Sequence, residues 1–226
     1  MKVDNLNRLL IILISLISLS YWGCKPDELI IPKKISLSPI ETGKYIIYHR
    51  LELNHDAFNS QTDTTNYWIK ESIESSFLDQ ENDTAYRLQI DHSNDDGLSW
   101  GFHHYAFIKE DDFGIERTDF DIKKVKLSFP VENNKRWDIN MFNNQDAQYG
   151  YYIRIDEPFY TDNSVFDKTV TIKIADRQDI IFTQFEEEIY ARGIGLIQRQ
   201  FKDIETQPGK YKDGIEYTET LLQTNW

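Results

Sequence analysis

The sequence predicts an all-β, mainly antiparallel domain: a strongly curved sheet or incomplete barrel of about ten strands, with room for one or two short helices. Three observations lead there. Apolar and polar residues alternate with period two through one segment after another. The alternating positions are rich in Tyr, Phe, Ile and Val, which suit a pleated, half-buried surface. Turn-forming clusters then separate these segments at short intervals.

The segments follow in order. From Lys44 to Leu53, the residues Tyr45, Ile47, His49, Leu51 and Leu53 alternate with Ile46, Tyr48, Arg50 and Glu52. In Asn66 to Ile73, Tyr67, Ile69 and Ile73 share one side, and in Thr84 to Ile90 Tyr86, Leu88 and Ile90 do. Trp100–Lys109, Gly114–Thr118, Lys123–Val131, Tyr149–Ile155 and Lys168–Ile174 continue the pattern, and Gly195–Phe201 and Ile215–Leu222 close it. Two stretches also fit a helix, because Ile73 and Phe77, and Ile181, Phe185 and Ile189, recur every four residues; strands are the favoured reading for both. Gly193 and Gly195 mark a tight structural turn between two strands.

Composition removes several classes. With 226 residues the chain is long enough for one self-sufficient core, and with one Cys it has no disulfide framework. A net charge of −13 argues against nucleic acid as a partner, since phosphate binding needs clustered Lys and Arg.

The amino terminus reads as an address. Lys2 and Arg8 precede an apolar run from Leu9 to Leu19, too short to span a bilayer and right for a secretory signal. Gly23 and Cys24 follow, and this lone cysteine after a signal core resembles the cleavage and lipidation site of bacterial lipoproteins. The resemblance implies a signal peptide over 1–23, a lipidated Cys24 at the start of a tether over 24–42, and a single β-rich domain over 43–226. Lys25, Asp27 and Glu28 resemble the export signal that follows the lipidated cysteine in surface lipoproteins of Bacteroidota. Cleavage removes Lys2, Arg8 and Asp4 and takes the net charge from −13 to −14, so the domain should stand off from an anionic membrane on its anchor.

Three further segments, Tyr67-Trp68-Ile69-Lys70-Glu71, Val125–Val131 with Lys135 and Trp137, and Glu188–Ile197, together resemble uncharacterised Bacteroidota outer-membrane lipoproteins. The last also resembles, over a short stretch, a signature of curved-sheet lipid and lipoprotein carriers of the cell envelope. The resemblance implies a fold and a lipid or other hydrophobic ligand, and it carries no catalytic residue.

Candidate chemistry is sparse. His103-His104 falls within a strand, where neighbours point to opposite faces, so the two cannot hold one ion without a bulge; no metal site is expected. Asp91–Gly97 has the oxygen density of a calcium loop but breaks the EF-hand frame. The acidic runs read as solvated edges, and no nucleophile elbow, phosphate loop or dinucleotide fingerprint occurs. The aromatics are the strongest candidates: Trp68, Trp100, Trp137 and Tyr151 could stack on a ligand, although core packing accounts for most such residues. The expectation is therefore a non-enzymatic, cofactor-free envelope lipoprotein of the outer membrane, facing the cell surface or otherwise the periplasm. It would bind a lipid or an envelope protein partner. Two alternatives are a surface glycan-binding accessory protein and, last, a carboxylate-dependent hydrolase.

Overall fold

The computed structural model describes Leu37, residues 39–161 and 164–207, Gly209, and residues 211–226. Twelve strands account for most of them: β1 Tyr45–Asp56, β2 Gln61–Leu78, β3 Thr84–Ser93, β4 Gly101–Glu110, β5 Gly114–Asp119 and β6 Ile122–Ser128 in the first half. The second half is β7 Arg136–Asp138, β8 Tyr149–Tyr160, β9 Val165–Gln178, β10 Phe182–Ala191, β11 Gly195–Gln207 and β12 Tyr211–Thr224. Among the described residues no helix forms. Every ladder is antiparallel, each strand pairs with its neighbours in sequence except β6 with β7, and β1 pairs with β12. The result is a nearly closed, barrel-like up-and-down sheet, broken where β6 meets β7.

That seam is held by side chains as well as backbone. Val125 N–H donates to the Ile139 carbonyl at 2.9 Å, and the Trp137 indole donates to the Val125 carbonyl at 2.9 Å. The Tyr152 hydroxyl donates to the Ser128 carbonyl at 2.7 Å and accepts from its N–H at 3.2 Å. An edge that would otherwise offer unpaired backbone groups is thereby covered.

The core lies inside the curve. Ile46, Tyr48, Ile69, Ile73, Leu88, Ile90 and Ala106 fill the side formed by β1–β4. Ile115, Val125, Leu127, Trp137, Ile139, Tyr152, Val170, Ile172, Ile174 and Tyr190 fill the other, together with Leu37, which is completely buried. Ile108 and Leu196 pack against both groups and join them. Leu37 and Ile40 thus bring residues that precede β1 into the packed interior.

The two stretches that also suited a helix are extended. Glu71–Asp79 lies almost wholly in β2, whose ladder with β3 slips between Ile73 and Ser75. This one-residue bulge reverses the alternation, so Ile73 faces the core while Phe77 faces solvent. A four-residue spacing would otherwise have left both on one face. The second stretch ends β9, turns and forms β10.

At Gly214 in β12, a Cβ would lie 2.1 Å from the Asp203 carbonyl oxygen, and φ is +126°. Gly214→Ala should therefore cost about 3 kcal/mol or more. Gly193, with φ +73° and open space around it, should cost only about 1–2 kcal/mol as Ala. Urea unfolding of the two variants measures the difference directly.

Candidate functional site

On four strands the inward stripe carries a charge among its apolar residues at one level. On β1 it runs Ile46, Tyr48, Arg50; on β2 Ile73, Glu71, Ile69; on β11 Ile197, Arg199, Phe201; and on β12 Leu221, Glu219, Tyr217. Strand register places these charges side by side. Arg50 is paired with Glu219, Glu219 with Arg199, and Arg199 with Glu188, giving a row of alternating sign across four adjacent strands.

The contacts are close. Arg50 Nε donates to Glu219 at 2.9 Å and Arg199 Nε to Glu188 at 2.8 Å. Glu188 is completely buried and also accepts from Lys126 Nζ at 2.5 Å and the Tyr190 hydroxyl at 2.7 Å. Burial alone would raise its pKa, but Lys126 and Arg199 hold it down to about 2. Across the lumen, Arg117 grips both oxygens of Glu71 at 2.7 and 2.8 Å, and its Nε donates to Asp119 at 2.7 Å. Burial works against the Asp119 carboxylate too, and Arg117 keeps it well below the usual range. Glu186 moves the other way: burial raises it, opposed by Lys126 and reinforced by Glu188.

This charged layer separates two spaces. Toward the Ile46–Ile73 end lies a recess of about 80 Å³ among Ile40, Ile46, Ile73, Leu88, Ile115 and Leu196. On the other side opens a cavity of about 420 Å³, whose walls carry Arg50, Arg117, Lys124, Glu186, Arg199 and Glu219. Glu71, Arg117, Lys126 and Arg199 border both spaces. Tyr217 and Phe201 stack 5.1 Å apart on the cavity wall, and the Arg50 guanidinium lies 4.2 Å over Tyr217. His92, His103 and His104 complete the wall. Burial and the neighbouring His103 lower the His92 pKa to about 4, so this imidazole is neutral at pH 7.

The residues singled out from the sequence lie elsewhere. Trp137 is a core residue rather than a ligand platform: it is buried, its indole N–H is spent on the seam, and its ring packs 4.8 Å from Tyr152. Trp68 packs against His49 at 5.2 Å, and Trp100 stands 5.9 Å from the Lys70 ammonium. Tyr151 pairs with Arg136 and Lys173 in the β7–β8–β9 ladders. The four are not brought together, and none lines the two lumen spaces. Gly193 and Gly195 take φ of 73° and 106° at the β10–β11 turn. Cys24, Lys25, Asp27 and Glu28 lie outside the described residues. In the Asp91–Gly97 loop, Asp95 accepts from the hydroxyls of Ser93 and Ser99 and the Ser99 N–H. Asp79, Glu81 and Asp83 form the one tight carboxylate group among the described residues, and Lys109 Nζ sits among them at 3.1, 2.9 and 3.1 Å.

The charged layer was missed by motif reasoning. Its signal was available: a charge flanked at i−2 and i+2 by apolar residues in a strand, as in Ile69-x-Glu71-x-Ile73, Ile197-x-Arg199-x-Phe201 and Tyr217-x-Glu219-x-Leu221.

No protein-family model matches this sequence, and no curated protein matches it. Solved structures similar to it include a "putative exported protein with YmcC-like fold" from Bacteroides fragilis, at 12% identity and TM-score 0.44, covering 83% of this chain and 98% of that one. Another is a "putative lipoprotein" from Parabacteroides distasonis, at 8% identity and TM-score 0.41, covering 84% and 99%.

Glu188→Gln should destabilise the fold by about 3–5 kcal/mol at pH 7, because Lys126 and Arg199 lose their counter-charge in a buried site. The folded pKa of about 2 lies below the ordinary 4.5. Glu188 therefore stabilises the fold fully above about pH 4.5, and that contribution is lost as pH falls toward 2. Urea unfolding at pH 7 and pH 3 should show a smaller difference between wild type and variant at the lower pH.

Proposed function

We propose that this chain is a lipid-anchored protein of the bacterial outer membrane whose barrel binds a small, polar, charged ligand in its lumen without catalysis. The observation that carries the ligand class is the cavity of about 420 Å³ beside the charged layer, a size within the range of small-molecule sites. The apolar recess, at about 80 Å³, is smaller than the cavity of about 150 Å³ that holds one benzene, which disfavours an acyl chain. The signal layout ending at Cys24 supports the anchor, and Lys25, Asp27 and Glu28 support exposure at the cell surface.

The absence of catalysis rests on how the carboxylates are used. Arg117 engages Glu71 and Asp119, and Arg50 engages Glu219, so three of the four carboxylates on the cavity wall are already spent on ion pairs. Fixed opposite charges over aromatic walls suit a ligand that itself carries charge and hydroxyl or amide groups. A second reading, a glycan- or partner-binding outer face, is favoured by exposed aromatics on β2 and β4. Phe77 meets Phe107 edge-on at 5.7 Å, and Phe102 lies 4.8 Å from Tyr105.

Two measurements test the proposal. Protease shaving of intact cells should cut the wild-type domain while a periplasmic marker survives, and Cys24→Ala should leave the membrane fraction. Protection until the outer membrane is opened would reverse the orientation. Native mass spectrometry of the full chain from its own cells should show a water-soluble adduct of a few hundred daltons. Phe201→Trp, which narrows the cavity, should lose it, whereas recovery of a lipid instead would overturn the polar-ligand reading.

A further inference from the structure

Adjacent strand residues face opposite ways, so His103 and His104 should not be able to share an ion. The β3–β4 ladder departs from that rule at this point. Ile90 pairs with His104, but the next residue, Asp91, pairs with Phe102, which leaves His103 as the extra residue of a bulge. The two imidazoles turn to one side, with Nδ1 of His103 and Nδ1 of His104 2.6 Å apart. Both border the lumen cavity.

Three neighbours fix the pair. Asp119 Oδ1 lies 3.2 Å from His104 Nε2, and Asp119 is itself held by Arg117. An ionised carboxylate only accepts, so His104 carries its proton on Nε2 and presents a lone pair at Nδ1. Histidines that ligate metals commonly have their other nitrogen engaged in this way. Phe120 stacks on His104 at 4.2 Å from the β5–β6 turn, where Phe120 and Asp121 both have positive φ, 49° and 63°. Positive φ at both positions is what a two-residue hairpin turn of this type requires, and the turn sets the ring over the imidazole. His92 stacks on His103 at 4.0 Å and 16°.

We propose that His103 and His104 are the anchoring ligands of a divalent transition-metal site that opens on the lumen, with water in the remaining positions. Metal–nitrogen bonds of about 2.0–2.1 Å in a tetrahedral site place two nitrogens about 3.3 Å apart, so the pair needs to open by roughly 0.7 Å. Imidazole donors select copper, nickel or zinc over magnesium and calcium, with Cu²⁺ the tightest. The chain has five histidines: besides the pair, His92 stacks on His103, His49 lies against Trp68, and His55 sits between Thr62 and Glu216. The acidic group of Asp79, Glu81 and Asp83 already holds the Lys109 ammonium among its carboxylates and offers only oxygen donors.

Calorimetric titration of the full chain with Cu²⁺ and Zn²⁺ should show one equivalent of each, Cu²⁺ the tighter. A His103→Ala/His104→Ala double variant, its fold checked by circular dichroism, should bind at least about tenfold more weakly, while His49→Ala and His55→Ala bind as wild type. Electron paramagnetic resonance of the Cu²⁺ complex should show at least two imidazole nitrogens. An oxygen-only spectrum, undiminished binding in the double variant, or displacement of Zn²⁺ by equimolar Ca²⁺ would overturn the site. The resonance spectrum is read on the unaltered chain and so decides the matter even if the double variant does not fold.

Discussion

Glu188 is a carboxylate with no exposure to solvent, and the middle of the sheet is arranged around the need to balance it. Removing a carboxylate from water costs several kcal/mol after relaxation, so its partners have to be close and correctly aimed. They come from three strands: Lys126 from β6, Arg199 from β11 and Tyr190 from β10 itself. Because Lys126 reaches it from the far side of the interior, the same charge that joins β10 to β11 also ties the first half of the sheet to the second. Arg199 then extends the row through Glu219 to Arg50. A one-residue slip in any of these ladders would turn a charge outward and leave its partner buried alone, so the layer fixes register as strongly as the hydrophobic core does.

The bulges have the complementary role. Most of the ladders carry at least one register shift, and β8–β9 carries three. Each adds local twist, which a sheet needs to curl until its ends meet. Each also resets the alternation of side chains. In β2 the reset sends Phe77 to solvent; between β3 and β4 it brings two successive histidines to one side. Curvature and the placement of polar groups on the cavity wall thus share one origin in the backbone.

The interior is layered as a consequence. Apolar side chains fill one end, a balanced ionic layer crosses the middle, and a polar cavity with aromatic walls occupies the rest. This differs from the continuous apolar lining that a carrier of acyl chains requires. It fits the selection of a small charged molecule, for which fixed and already desolvated charges give specificity at little reorganisation cost.

Much of the fold was legible in the chain. Period-two alternation identified ten of the twelve strands directly, since a half-buried strand needs nothing beyond its own side-chain pattern. β7 escaped because three residues cannot display a period, whereas β10 was favoured as a strand although its four-residue spacing also suited a helix. The site was legible only in part. Charges framed by apolar neighbours marked Glu71, Arg199 and Glu219 as inward-facing, but which cation meets which carboxylate depends on register between strands up to 169 residues apart. The sequence by itself determined an all-β chain, most of its strands and the signal-like amino terminus, because each is a local property. Only the tertiary structure decided that Trp137 is core, that the ionic layer is paired, and that His103 and His104 converge. Those outcomes depend on pairing and bulges, which arise between strands and not within them.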